Sequence, residues 1–216
     1  MNSLRIFLIT VVMVVMATAA YATPYTFTFT ADNKLTELTM SVDGGAATAV
    51  DLSGLPNLSN WKIADSLTIN LTKGSSYDLI WRVENVGTVG PNNPFGFLGD
   101  VSSAYGSYSS SATWQVADDN GGTPGTWVNA LEYAANSGLL SDGSGANSIW
   151  YNNNHGSIAG IAGEAQWIGE DVYPGSSSEA MYVKMNFTAT PIPAAAWLLG
   201  SGLIGLLGIR HRFVSK

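Results

Sequence analysis

Residues Tyr25-Thr26-Phe27-Thr28-Phe29-Thr30 alternate aromatic and threonine without a break. A period of two places every aromatic on one face of an extended chain and every threonine on the other, which a helix cannot do. The segment is expected to be a strand with one face buried and the other solvated. Comparable β-prone segments recur along the chain at 35–42, 46–52, 66–71, 77–86, 101–116, 126–133, 165–168 and 181–188. Turn-forming residues separate them: Asp43-Gly44-Gly45, Lys73-Gly74 and the long run from Asp118-Asp119-Asn120 through Gly121-Gly122-Thr123-Pro124-Gly125. Residues 137–156, rich in Gly, Ser and Asn, read as loop, and a short helical turn fits 129–135. Only 12% of the chain is charged and 24 residues are glycine, too few strong helix formers for a helical domain. The expectation is an all-β body, a β-sandwich or jelly roll, over residues 23–190.

Both ends read as addressing segments. Arg5 precedes an apolar stretch, and Ala20-Tyr21-Ala22 then places small residues at the two positions a signal peptidase reads. Residues 1–22 are therefore expected to be a signal peptide, cut after Ala22 to leave Thr23 first. At the other end stand Pro191-Ile192-Pro193, an apolar run over 194–209, and Arg210, His211, Arg212 and Lys216. Sixteen residues span about 24 Å as a helix, which snorkelling arginines and local thinning can fit to a bilayer. The basic end, Arg210 and Arg212, is expected in the cytoplasm, with the body outside. The prolines cannot continue the helix and mark an extended segment outside the membrane.

The stretch Pro191-Ile192-Pro193-Ala194-Ala195-Ala196-Trp197-Leu198-Leu199-Gly200-Ser201-Gly202, followed by the apolar run and Arg210-His211-Arg212, resembles the PEP-CTERM sorting domain in the form read V-P-L-P-A. That resemblance implies a sorting motif at Pro191, Ile192, Pro193 and Ala194, and cleavage by an exosortase-type enzyme in a Gram-negative, exopolysaccharide-producing bacterium. Ile192 stands where the commoner form has Glu. The body resembles galactose-binding-like jelly-roll domains of bacterial surface proteins. The resemblance rests on Thr30-Ala31-Asp32-Asn33, Asn60-Trp61-Lys62-Ile63-Ala64, Asn93-Pro94-Phe95-Gly96-Phe97-Leu98-Gly99 and Ala165-Gln166-Trp167-Ile168, among others. It implies a non-catalytic domain whose end loops often bind sugars. Gly169 departs from it, standing where a second aromatic is usual.

Chemistry leaves few candidates. Without the basic residues of the two ends, five basic residues face sixteen acids, a balance of −11. Such a body repels phosphate backbones, so no nucleic acid is expected as partner. No cysteine exists for a disulfide, thiolate site or nucleophile, and His155 is the one histidine of the body. No metal and no cofactor is expected. Asp118/Asp119 and Glu170/Asp171 are adjacent acids, which in a strand point to opposite faces rather than forming a hydrolytic pair. Asp118, Asp119 and Asn120 lack EF-hand spacing for calcium. Six body tryptophans remain, at 61, 81, 114, 127, 150 and 167. Most belong in a core. Trp150, with Asn152 and Asn154 close by, has the most loop-like surroundings and is the candidate for stacking on a sugar.

The resulting expectation is an exported, non-enzymatic surface or extracellular-matrix protein associated with exopolysaccharide. Its partners are signal peptidase, an exosortase and, transiently, the inner membrane. The alternative is a carbohydrate-binding module, and a glycan-active enzyme comes third.

Overall fold

The computed structural model describes residues 22–87, 95–137, 157–170 and 180–190, and over these it is all-β. The strands are β1 (Ala22–Asp32), β2 (Lys34–Val42), β3 (Thr48–Ala49), β4 (Asp65–Thr72), β5 (Ser76–Glu84), β6 (Gly96–Ser103), β7 (Gly106–Ser109), β8 (Gln115–Asp118), β9 (Val128–Asn129), β10 (Leu131–Ala135), β11 (Gln166–Gly169) and β12 (Ala180–Thr188). They form two six-stranded antiparallel sheets, consistent with a β-sandwich. The first runs β10-β11-β6-β1-β4 with β7 beside β6, and the second β3-β2-β5-β12-β8-β9. None of the described residues forms a helix long and apolar enough to cross a membrane.

The alternating pattern builds the space between the sheets. Tyr25, Phe27 and Phe29 of β1 face Leu79, Trp81 and Val83 of β5 and Val183, Met185 and Phe187 of β12, all buried. Aromatic contacts dominate: Trp81 stacks on Trp114 at 5.6 Å and meets Phe97 at 5.1 Å, while Phe187 meets Tyr25 at 5.4 Å and Tyr77 at 5.8 Å. Such pairs add to the burial of their large apolar area, which in a chain without disulfides is the principal source of stability.

The other face of β1 departs from expectation. Thr26 is only half-buried, but Thr28 and Thr30 are buried although a solvated threonine face was expected. A second small core covers them, made of Leu98, Ala134, Ile158, Ile161, Ala165 and Trp167 with Trp61 against it. Thr30 donates its hydroxyl to the Trp61 carbonyl at 3.0 Å, and Thr28 reaches across to Ser66 at 2.9 Å. The outer threonines thus satisfy their hydroxyls inside protein rather than in water.

Two further expectations are corrected. Residues 128–129 and 131–135 are strands β9 and β10, not a helical turn. Leu131 to Ala135 pairs with β11 across a bulge, so the sheet takes up the backbone groups that a turn would have satisfied locally. The segment 101–116 is not one strand, and β6 begins earlier, at Gly96, before β7 and the start of β8. Of the segment 46–52 only Thr48–Ala49 is strand.

Candidate functional site

Strand β12 is longer than its neighbour on one side. It pairs with β5 from Ala180 through Thr188, but with β8 only from Met181 to Lys184. Strand β8 cannot extend further because the chain turns just before it, where the Trp114 amide bonds the Ser111 carbonyl at 3.0 Å. Beyond Lys184 a notch of about 360 Å³ opens beside β12. Trp114, Met185 and the half-buried Tyr108 line its inner part, and Gln115, Asn129, Lys184 and Asn186 its outer part.

The period of two explains this division. Val183, Met185 and Phe187 point into the sandwich, so Lys184 and Asn186 must point the other way. Gln115 pairs with both Lys184 and Asn129, which puts all three on the same row of the sheet face. Asn186 also lines the notch and donates its side-chain NH2 group to Asp78 at 2.7 Å. None of the lining residues is acidic. The Lys184 ammonium lies 4.3 Å from the centre of the Trp127 ring, a contact that holds a cation without neutralising it.

Arg82, on the same outer face, is different. Its guanidinium is bound by Asp119 and Glu84 and also donates to Thr36 at 3.2 Å. Burial works against its charge, but the hydrogen bonds and charges of Asp119 and Glu84 outweigh this and raise its pKa above the ordinary value. Asp119 is accordingly held from two sides, since its other oxygen accepts the Gly122 amide at 2.6 Å. Both Asp119 oxygens are thus engaged within the protein. Asp118 lies opposite Met181 on the core-facing row, on the other side of the strand from Asp119. Other acids also fasten structure: Asp65 takes both the amide and side chain of Asn57, at 2.9 and 3.1 Å, and Asp43 accepts the Ser76 amide at 2.8 Å.

Of the tryptophans, Trp81, Trp114 and Trp167 are buried, and Trp61 and Trp127 are half-buried. Ala22 opens β1 opposite Thr72, and Thr23 is buried opposite Leu71. Ala20, Trp150, Asn152, Asn154, Pro191, Ile192, Pro193, Ala194, Arg210 and Arg212 lie outside the described residues. The notch residues were not singled out from sequence. Their one signal is Lys184, a cation inside the alternating segment 181–188 of a cation-poor body. Nothing local ties it to Tyr108, Gln115 or Asn129, which arrive from three other strands or their ends. Comparison with known protein families, curated proteins and solved structures finds no match.

Proposed function

We propose that this chain is an exported, non-enzymatic component of the cell surface or extracellular matrix, processed through its C-terminal segment and associated with exopolysaccharide. The observation that carries this reading is the order of the tail: Pro191-Ile192-Pro193, an apolar run, then Arg210-His211-Arg212. The body offers a matching frame. Strand β1 begins at Ala22, beside the proposed signal-peptidase cut, so cleavage would leave the register from Thr23 onward in place. Strand β12 ends at Thr188, and Thr190 is tied by its amide to the Tyr25 hydroxyl at 3.0 Å. A sorting segment starting at Pro191 would thus leave from a fixed point of the sandwich. Within this reading the fold is a jelly roll, supported by the way β1, β2, β4, β5, β6, β8, β11 and β12 alternate between the two sheets.

The test is Pro191→Ala with Pro193→Ala, which leaves hydrophobicity and charge of the anchor nearly unchanged. The double variant is expected to remain in the inner membrane as uncut precursor. The parent chain is expected to lose about 2–3 kDa, the mass of roughly 23–26 residues, and to leave the membrane only in a host with an exosortase. Identical fractionation of both, with Lys216 retained, would reduce the proposal to a membrane-tethered domain. A second reading, a carbohydrate-binding module, is favoured by the notch beside β12, whose amides and aromatic rings suit sugar hydroxyls and ring faces.

A further inference from the structure

We propose that the notch beside β12 binds an anionic saccharide, a glycan unit carrying a carboxylate such as a uronic acid, with Lys184 as the residue that selects its charge. The inference rests on the glycan-associated reading above and adds the ligand class.

The argument begins with charge. Residues 23–190 hold five cations against sixteen acids, and one of the five lines the notch. Arg82 is neutralised by Asp119 and Glu84. Lys184 has no ion pair among the described residues, and no acid is among the residues lining its notch, the carboxylate bonded to Asn186 being that of Asp78 beside it. Trp127 restrains its ammonium at 4.3 Å. Pre-fixing a lysine lowers the entropy lost when an anion binds, since the rotamers of a free lysine would otherwise have to be ordered at that moment.

The remaining groups match a sugar ring. Among the described residues the side-chain amides of Gln115 and Asn129 make no hydrogen bond, and Asn186 uses its NH2 group on Asp78. An amide offers a donor and an acceptor, as a hydroxyl does, so a row of amides can follow a row of hydroxyls. Tyr108 and Trp114 supply aromatic surface behind them. The volume, about 360 Å³, lies near the lower end of the roughly 300–1,000 Å³ of small-molecule sites, suited to a short stretch of glycan. A phosphate would find no second cation there, and an apolar ligand would strand the amides. A carboxylated sugar satisfies both features together.

The test uses the full chain in detergent micelles, a tri-uronate and its carboxyl-reduced neutral counterpart, with calorimetry and tryptophan fluorescence as readouts. The tri-uronate is expected to bind, and Lys184→Gln to weaken it about tenfold or more, which corresponds to about 1.4 kcal/mol. Lys184→Arg is expected to retain binding. Raising salt to about 0.5 M is expected to weaken the parent chain, because a charge pair at a surface notch is screened, and to leave Lys184→Gln unchanged. Thermal melting of each variant checks that the fold persists. Should Lys184→Gln unfold, Gln115→Leu serves instead and is expected to weaken both saccharides. Equal affinity for the neutral sugar, or an unchanged affinity in Lys184→Gln, overturns the charge selection. Absence of tri-uronate binding at millimolar concentration overturns the inference altogether. Neither result touches the tail, so processing of Pro191→Ala/Pro193→Ala decides the matrix reading separately.

Discussion

At position 169 a side chain has nowhere to go. A Cβ added to Gly169 would run into the ring of Tyr133, meeting its hydroxyl and lying 2.7 Å from Cε2 and 2.8 Å from Cζ. Gly169 is therefore the counterpart of a tyrosine packed across β10 and β11. Gly169→Ala is expected to cost about 1–3 kcal/mol, the usual range for overpacking. Combining it with Tyr133→Ala is expected to cost less than the two added together, and a double-mutant cycle by chemical denaturation checks this. Asn136 is a second residue whose role is invisible in its neighbourhood. It is buried, gives its side-chain NH2 to the carbonyls of Ile158 and Ile161 at 3.0 and 2.9 Å, and accepts the Ile158 amide at 2.7 Å. Asn136→Ala leaves these buried groups without partners, at about 1–3 kcal/mol for each one stranded. The expected result is a large loss in denaturation midpoint together with faster amide exchange at Ile158.

Among the elements, the loop between β8 and β9 shows how a stretch of turn residues becomes rigid. Asp119 and Pro124 form an isolated bridge, Asn120 and Thr123 bond through their backbones at 2.8 Å, and Arg82 pins Asp119 to the sheet. Burial alone would raise the Asp119 pKa, but the hydrogen bonds of Arg82 and the Gly122 amide, with the Arg82 charge, outweigh it and hold the carboxyl below the ordinary 3.8. A carboxyl depressed in the folded state stabilises fully above its unfolded pKa and loses that contribution as pH falls through the folded value. Asp119→Asn is therefore expected to be less stable than the parent by about 1–3 kcal/mol near neutrality. The gap is expected to narrow below about pH 4. Melting curves of both proteins across that range test the sign: a constant gap would mean that the ion pair contributes nothing. The same scale explains why 129–135 holds strand and not a helical turn. Residues 128–135 hold no strong period, and β9 and β10 exist because β8 and β11 offer edges for them to pair with.

For the whole molecule, the two ends of the described body meet. The start of β1 pairs with the end of β4, the turn at Lys73-Gly74 connects β4 to β5, and the end of β12 pairs with the start of β5. Gly74 donates its amide to the Ala189 carbonyl at 2.8 Å, and Ala189 donates to Ser75 at 3.0 Å. Entry and exit of the sandwich thus lie at one end, opposite the end where β5 leads out at Glu84. Tyr25→Phe removes the hydroxyl that accepts from Thr190 and is expected to cost about 1 kcal/mol, with faster amide exchange confined to residues 189–190. Exchange that accelerates throughout β1 would instead mean that the hydroxyl supports the core.

What the sequence by itself determined is the material of the sandwich. Alternation at Tyr25 to Phe29 specified a strand and its core face, and 77–86 and 181–188 read as strands, because the period of two and β-propensity are local properties of the extended chain. The burial of three of the five described tryptophans followed from the same need for apolar area. The tertiary structure alone decided which strands became neighbours, and so which outward residues met. Lys184, Gln115 and Asn129 share a row only because β12 lies beside β8 and β8 beside β9. Thr28 and Thr30 became buried only because distant segments, near Trp61 and Ile158, packed over them. Pairing and coverage of this kind depend on contacts between residues far apart in the chain, and a local pattern carries no record of them.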